Sequence, residues 1–502
     1  MLLFRQLHKF RGRKKSPFIK FQRGMAARQQ KFESMLSSTV ITLLWLLAFS
    51  MLCMAQSQSI VETLPGFPGK LPFKLETGYV GVGEADDVQL FYYFIESERN
   101  PRKDPLLLWL TGGPGCSGFS GLVYEIGPLS FNYENFDGNE PTFQLNQYSW
   151  TKVASIIFLD APAGTGFSYS RTSQGYNMTD TLSAAQTYEF LRKWLLDHPK
   201  FLTNVLYVGG DSYSGITVPI VVQEIHNGNA VGNVPFIKLN GYFLGNPVTD
   251  RRSDVSTQIE YAHRVALISD ELYESIKESC HGEYVRVDPE NVQCLKDIQA
   301  YTDCITKLDP ANILEPNCPL ISPKSKGIGW DQAIFEENPM DILLSWSRTP
   351  TLWCRVYNYV LSYIWANDDN VQNALGIRKG TKLSWFRCNK TLSYTYDVVS
   401  TIEYHRNLTN TAYRSLIYSG DQDLSVPYVG TQEWIRSLNM TITDDWQPWF
   451  VEGQIAGYTR LFTKNLYHMT FATVKGGGHT APEYKPRECF AMVDRWLSYY
   501  SL

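Results

Sequence analysis

The chain has 502 residues, of which 14% are aromatic and 19% charged, with 46 basic against 50 acidic residues. This length can bury a large core, and α/β proteins of this size often form one domain with a large insertion. The charge balance excludes a basic, nucleic-acid-binding class, and no repeat, heptad run or low-complexity block is evident.

Residues 39–55 form an apolar stretch that is short for a membrane span and ends in Cys-Met-Ala, which suits signal cleavage. Ten basic residues precede it, more than a secretory signal needs, so Met25 or Met35 is an alternative start. We assign residues 1–55 to an extension and cleaved signal, with a signal anchor as the alternative. The remaining 36 basic and 49 acidic residues leave a net charge of about −13, which argues against nucleic acid and suits an acidic compartment.

The first informative element is the apolar run 105–110 (PLLLWL), which predicts a buried strand. It ends in the glycine-rich sequence 111–117 (TGGPGCS), where the backbone N–H of Gly113 is a candidate oxyanion donor. A phosphate-binding loop is excluded because the required Lys and Ser/Thr spacing is missing. Further on, residues 181–197 predict a helix, so strands and helices alternate, as in a parallel sheet covered on both faces.

The sequence 209–215 (GGDSYSG) follows the apolar run 204–208 and precedes a predicted helix over 216–226. A strand, sharp turn and helix in this order present the central serine, Ser212, as a nucleophile. Ser214 stands where the simple G-x-S-x-G pattern has its second glycine. The amide of Tyr213 is the second candidate oxyanion donor.

Two later strands each end in a candidate partner for Ser212. The strand predicted over 412–419 leads into a turn with Asp421 and Asp423, and the strand predicted over 469–474 leads to His479. The order Ser, Asp, His is that of α/β-hydrolases. We expect His479 to accept the serine proton and Asp423 to fix its tautomer; Asp421, the alternative acid, is favoured as a turn cap.

The motifs WLTGGPGCS, LDAPAGTGFSYS, GGDSYSG, YSGDQDLSVP and GGGHTAPEY occur in the order typical of the serine carboxypeptidase family. From about Leu64 onward the chain resembles this family, and in particular its plant acyltransferase-like members. Peptidases of the family have Asn before Gly-Gly-Pro-Gly and Glu before the nucleophile, whereas this chain has Thr111 and Asp211. The resemblance implies an α/β-hydrolase domain over 56–502, with a mostly parallel central sheet, helices on both faces and a helical cap insertion.

The resemblance also implies the reaction. It predicts acyl transfer from a 1-O-acyl-β-glucose to a small acceptor through an acyl-enzyme, with carboxypeptidase action as the alternative and a non-catalytic binding protein less favoured. No cofactor or metal is expected. Thr111, Gly112, Glu125 and Asp211 occupy the place where a peptidase holds its substrate's carboxylate; alternatively, Asp211 only braces the turn.

The insertion runs from Asp250 to about Trp365 and should cover the site as a cap. Within it, residues 319–350 lack clear periodicity. Some family members are cut into two chains in this region, so this stretch is either an excised linker or an intact loop.

Eight cysteines lie outside the signal without any CxxC pair, which favours disulfides in an oxidising compartment. The family resemblance implies the pairs Cys116–Cys388, Cys280–Cys294 and Cys318–Cys354, with Cys304 and Cys489 as thiols. Sequons that fit a secreted or vacuolar glycoprotein occur at Asn177, Asn389, Asn407 and Asn439.

Overall fold

A mixed sheet of twelve strands forms the centre of the computed structural model, which describes residues 58–133, 136, 140–317, 355–381 and 384–502. The twelfth strand, Tyr169–Ser170, pairs with the third. The other eleven follow one another across the sheet and are, in chain order, β1 (Gln58–Thr63), β2 (Lys70–Val82), β3 (Val88–Ile95), β4 (Leu106–Leu110), β5 (Ser155–Leu159), β6 (Leu206–Asp211), β7 (Leu239–Gly245), β8 (Arg414–Gly420), β9 (Thr441–Val451), β10 (Gln454–Lys464) and β11 (Tyr467–Val474).

The six central strands of this sheet run parallel. The order across the sheet is β1-β2-β3-β5-β4-β6-β7-β8-β11-β10-β9, and every neighbouring pair from β5 to β11 is parallel. The strands at both edges are antiparallel. Because the carboxyl ends of parallel strands meet at one edge, the loops after β4, β6, β8 and β11 lie close together there.

Helices cover both faces of the sheet. In chain order, the described α-helices of four or more residues, including those of the insertion, are α1 (Asp180–Asp197), α2 (Ser214–Ala230), α3 (Arg251–Arg264), α4 (Asp270–Cys280), α5 (Val292–Ile305), α6 (Val356–Ala366), α7 (Asp369–Ala374), α8 (Ile402–Leu408), α9 (Tyr428–Ser437), α10 (Ala481–Tyr484) and α11 (Pro486–Leu497). No described helix is both long and apolar enough to cross a membrane.

The strands alternate between two apolar cores. Trp109 of β4 packs in one core together with Trp496 of α11, whereas Leu108 packs in the other with Trp194 of α1 and Ile220 of α2. Burial on both faces explains why β4 is a continuous apolar run. The α/β-hydrolase fold predicted from the sequence is confirmed, and the antiparallel edges are an addition that the sequence did not predict.

Between β7 and β8 the chain leaves the main sheet. The described part of this excursion contains α3 to α8, and the first three of these helices share a small core that includes Ile259, Ile276 and Tyr301. The limits of the cap at about 250 and 365 stay a prediction. The predicted signal over 1–55 and the candidate linker over 319–350 lie outside the described residues.

Two predicted boundaries differ from the structure. Strand β6 continues through Gly209 and Gly210 to Asp211, and α2 extends from Ser214 to Ala230. A Cβ atom on Gly210 would lie 2.3 Å from the carbonyl oxygen of Leu110, so this glycine allows close strand packing where the sequence had suggested a turn.

Candidate active site

Ser212 lies at the sharp turn between β6 and α2. Its backbone φ is 54°, in the left-handed region that is costly for a residue with a side chain. A Cβ atom on Gly112 would lie 2.6 Å from the Cβ of Ser212, and one on Gly215 would lie 2.2 Å from the carbonyl oxygen of Val248. Glycine is therefore required at both positions for the strained turn to form.

Three side chains from separate loops form a continuous hydrogen-bonded arrangement. Nε2 of His479 lies 2.7 Å from Oγ of Ser212, and Nδ1 of His479 lies 2.7 Å from Oδ2 of Asp423. Burial alone would lower the pKa of His479, but the carboxylate of Asp423 raises it, and the resulting pKa lies above the ordinary histidine value. With Nδ1–H donated to Asp423, Nε2 faces the serine hydroxyl as a proton acceptor.

The carboxylate of Asp423 is fully buried and accepts two further hydrogen bonds. Nδ2 of Asn246 donates to Oδ2 at 2.8 Å, and the backbone N–H of Ser425 donates to Oδ1 at 2.8 Å. Asp421 instead accepts from the backbone N–H of Gly476 at 2.7 Å, which braces the loop before the histidine. The structure therefore brings Asp423, and not Asp421, against the imidazole.

The backbone of Pro310 and Ala311 joins two of these loops. The carbonyl oxygen of Pro310 accepts from the N–H groups of Leu424 and Ser425, both at 3.0 Å, and that of Ala311 accepts from the N–H of His479 at 2.7 Å. Both residues belong to the predicted cap. Sequence reasoning missed this contact because any residue type can supply a backbone carbonyl.

The candidate oxyanion donors are the backbone N–H groups of Gly113, which lines the same cavity as Ser212, and of Tyr213, the next residue in the chain. Neither donates to a protein acceptor within the described part of the chain, whereas the N–H of Gly112 donates to Oδ1 of Asp211 at 3.2 Å. Gly113 has a φ of 121°, a conformation that favours glycine. Two N–H groups without a protein acceptor beside a nucleophile can stabilise a developing negative charge.

A cavity of about 330 Å³ opens beside Ser212 and His479. All four predicted substrate-binding residues line it, namely Thr111, Gly112, Glu125 and Asp211. Sequence reasoning missed three basic residues that also line it, which are Arg355, Arg387 and Lys390. No local pattern distinguishes these three from other basic residues of the insertion and the region after it.

Glu125 and Asp211 carry buried carboxyl groups that interact electrostatically. Burial, and then the charge of Asp211, raises the pKa of Glu125 well above its ordinary value. Burial also raises the pKa of Asp211, against opposing effects of His479 and the Gly112 N–H. Two nearby carboxylates do not both ionise cheaply, so Glu125 keeps its proton. Oε2 of Glu125 and Oγ1 of Thr111 are buried without a partner among the described residues.

Glu483 is a third buried carboxyl group beside the cavity. Its Oε2 accepts from the hydroxyls of Tyr359 and Thr480, each at 2.9 Å, and its Oε1 lies 3.7 Å from a guanidinium nitrogen of Arg355. Burial raises the pKa of Glu483, and Arg355 opposes this shift. Sequence analysis missed this residue although the motif GGGHTAPEY contains it.

Two disulfides lie within the described residues. Cys116 and Cys388 are bonded and both line the cavity, and Cys280 and Cys294 are bonded between α4 and α5. Cys304 and Cys489 are free thiols. The predicted pair Cys318–Cys354 lies outside the described residues.

The four sequons differ in exposure. The side chains of Asn177, Asn407 and Asn439 are exposed. Asn389 is half-buried, and its Nδ2 donates to the carbonyl oxygen of Gly164 at 3.0 Å. Three of the predicted acceptors therefore lie in positions that a glycosylating enzyme can reach.

The central parallel sheet and the alignment of Ser212, His479 and Asp423 at its carboxyl edge define an α/β-hydrolase. Residues 65–499 match the family model for serine carboxypeptidases, and the chain belongs to that family.

Plant relatives are similar in sequence to this chain over almost its whole length. Serine carboxypeptidase-like 7 from Arabidopsis thaliana is 50% identical over 461 residues, which cover 92% of this chain and 98% of that protein. Serine carboxypeptidase-like 13 from the same plant is 50% identical over 464 residues, which cover 92% and 99%. The prohormone-processing carboxypeptidase Kex1 from Saccharomyces cerevisiae has a TM-score of 0.67 at 18% identity, covers 89% of this chain and 96% of its own, and supports the fold.

Proposed function

We propose that this protein is an acyltransferase that moves an acyl group from a 1-O-acyl-β-glucose to a small acceptor. Oγ of Ser212 attacks the ester carbonyl while Nε2 of His479 takes its proton, and the N–H groups of Gly113 and Tyr213 stabilise the oxyanion. The intermediate collapses to an acyl-enzyme, and the imidazolium returns the proton to the departing glucose oxygen. An acceptor hydroxyl then attacks the acyl-enzyme carbonyl and gives its proton to Nε2 of His479, which passes it to Oγ of Ser212 as the bond between Oγ and the acyl group breaks.

The observation that carries this proposal is the pair Thr111 and Asp211 in the cavity. A protonated Glu125 and the hydroxyl of Thr111 can each donate one hydrogen bond. Oε2 of Glu125 and Oγ1 of Thr111 have no hydrogen-bond partner among the described residues. Asp211 is a methylene shorter than the glutamate expected in a peptidase, and it already accepts from Gly112. Single donors and acceptors of this kind suit the hydroxyls of a sugar or of an acceptor better than a tightly held carboxylate.

What separates transfer from hydrolysis is the group that resolves the acyl-enzyme. Water is present at roughly 55 M, and a bound, oriented acceptor can reach an effective molarity far above that. A cavity of about 330 Å³ beside the nucleophile leaves room for such an acceptor.

Carboxypeptidase action is the second candidate, and the basic side chains around the cavity favour it. Arg355, Arg387 and Lys390 line the same space and would attract a peptide's C-terminal carboxylate. A carboxylate on an acceptor acid would be attracted equally, so these residues do not by themselves select hydrolysis.

The test incubates the purified protein with an acylglucose plus a pool of acceptor alcohols and, separately, with blocked dipeptides, and reads products by mass spectrometry. We expect acylated acceptors and little amino-acid release; release of C-terminal amino acids with no acylated acceptor would overturn the proposal.

Ser212→Ala should cut turnover by about three to six orders of magnitude. Fluorophosphonate labelling of wild type separates an enzyme from a protein that only binds.

Asp211→Glu tests the role of the cavity acid directly. If Asp211 contacts substrate, the longer side chain should change the preference for donor and acceptor. If it only braces the turn, the preference should stay the same while stability changes. The matched control is Asp421→Glu, which lies in a neighbouring loop but outside the cavity.

We also propose that the protein follows the secretory route to the vacuole or the extracellular space, as a glycoprotein. The disulfides require an oxidising compartment, and three sequons are exposed. A glycosidase mobility shift together with thiol counting would test this, and a fully reduced, unglycosylated protein would contradict it.

A further inference from the structure

Asp180 carries a fully buried carboxyl group that contacts Tyr213, the residue after Ser212. It is the first residue of α1, and its exposed fraction is 0%. Oδ1 accepts from the hydroxyls of Tyr213 at 2.7 Å and Tyr394 at 2.8 Å, and Oδ2 accepts from the backbone N–H of Val398 at 3.0 Å. These three donors, together with the positive end of the helix dipole, stabilise a buried carboxylate.

Tyr213 is the residue whose backbone N–H is the candidate oxyanion donor. Its side chain is buried, and its ring packs edge-on against Tyr394, at 6.4 Å between centroids, and Tyr396, at 5.8 Å. The ring of Tyr213 therefore packs against two aromatic rings, and its hydroxyl donates a hydrogen bond to Asp180. The Cα of Tyr213 carries both this ring and the backbone N–H, so fixing the ring restricts movement of the Cα and of the N–H attached to it.

Asp180 is itself fixed from the other side. Its backbone N–H donates to Oδ1 of Asp397 at 2.8 Å, and the N–H of Thr181 donates to the same oxygen at 3.3 Å. The segment 394–398 therefore contacts the start of α1 in two ways. Asp397 accepts hydrogen bonds from its backbone, and Tyr394 and Val398 donate hydrogen bonds to the carboxylate of Asp180. The carboxylate that holds Tyr213 is thus attached to two separate parts of the fold.

We propose that Asp180 is a positioning residue, which fixes the Tyr213 backbone N–H toward the oxyanion by holding the Tyr213 hydroxyl. The inference rests on the proposed function in one respect, the nucleophilic role of Ser212. It does not depend on whether the acyl group passes to water or to an acceptor, because both reactions share the first oxyanion.

The experiment measures how fast Ser212 is labelled by a fluorophosphonate, since this step needs the nucleophile and the oxyanion donors but no particular acyl donor. Losing one oxyanion donor altogether costs about 10²- to 10³-fold. A donor that is present but less firmly oriented should slow the reaction less than a missing donor. We therefore expect Asp180→Asn and Tyr213→Phe each to slow labelling by about 10- to 100-fold. Tyr396→Phe is the matched control, because this ring belongs to the same cluster but its hydroxyl makes no contact with Asp180.

Three further readouts separate positioning from a merely structural role. With an ester substrate, both variants should lose kcat at nearly constant KM. The acid limb of the pH profile should stay where it is, because the histidine and its aspartate are untouched. The double variant should be no slower than the slower single variant, because both changes act on the hydrogen bond between the Tyr213 hydroxyl and the Asp180 carboxylate.

A labelling rate for Tyr213→Phe within twofold of wild type would overturn the proposal, as would an equal loss in Tyr396→Phe. If Asp180→Asn does not fold, Tyr213→Phe and Tyr394→Phe decide the outcome between them. Wild-type labelling in a Ser212→Ala variant would instead contradict the proposed nucleophile, so the two failures are distinguishable.

Discussion

Replacing Asp211 by Asn should make the protein more stable at neutral pH while it impairs the site. Burial raises the pKa of Asp211 from its ordinary value of 3.8 to about 6. Once Asp211 ionises, this raised pKa lowers the free energy of unfolding by roughly 3 kcal/mol. Asn has a similar shape and carries no charge, so the variant should recover most of this free energy of unfolding.

The sign of the pH dependence follows from the direction of the shift. The folded protein holds a proton on Asp211 that the unfolded chain releases between pH 3.8 and about 6, so wild-type stability falls as pH rises through this window. The gain from Asp211→Asn should therefore be about 3 kcal/mol at pH 7.5 and about 1 kcal/mol at pH 4.5. For a folded unit of roughly 450 residues, these values correspond to rises in Tm of about 3 °C and about 1 °C.

Thermal unfolding of both proteins at the two pH values, at one scan rate, measures these differences. Ser212→Ala is the control, because it removes the proposed nucleophile without removing a buried charge and should leave the pH dependence of Tm unchanged. An equal Tm rise at both pH values, or a lower Tm for Asp211→Asn at pH 7.5, would refute the assignment of a buried carboxyl group with a raised pKa.

Two further substitutions and one pH profile test the arrangement of the site. Asn246→Ala removes the 2.8 Å hydrogen bond to Asp423 and should lower kcat by about 10- to 100-fold, measured by steady-state kinetics; an unchanged kcat would contradict a role in holding the carboxylate. Because the pKa of His479 is raised, the acid limb of the kcat/KM profile should lie above pH 6.5, and a limb below that value would be the contrary result. Cys388→Ser should cost more activity than Cys294→Ser, because only the first opens a disulfide that lines the cavity; equal losses in an activity assay would show that neither disulfide shapes the site.

Local chemistry made much of the fold predictable. The apolar run before Thr111 predicted a buried strand, which the structure buries on both faces, and the glycines around Ser212 allowed a turn that other residues would block. The antiparallel edge strands β9 and β10 carried a weaker signal, because many of their side chains are exposed and the apolar alternation is interrupted. Strand β6 was predicted too short because Gly209 and Gly210 belong to a residue type that is typical of turns.

The candidate reactive groups and their order could be predicted from local sequence: a serine at a sharp turn, and an aspartate and a histidine after later strands. Which of these groups meet, and what surrounds them, depends on the tertiary structure. The choice of Asp423 over Asp421, the carbonyls of Pro310 and Ala311, and the buried Asp180 behind Tyr213 all depend on contacts between residues far apart in the chain. Such contacts leave no local pattern, because a backbone carbonyl or a single buried carboxylate acquires its role only from the partners that folding brings to it.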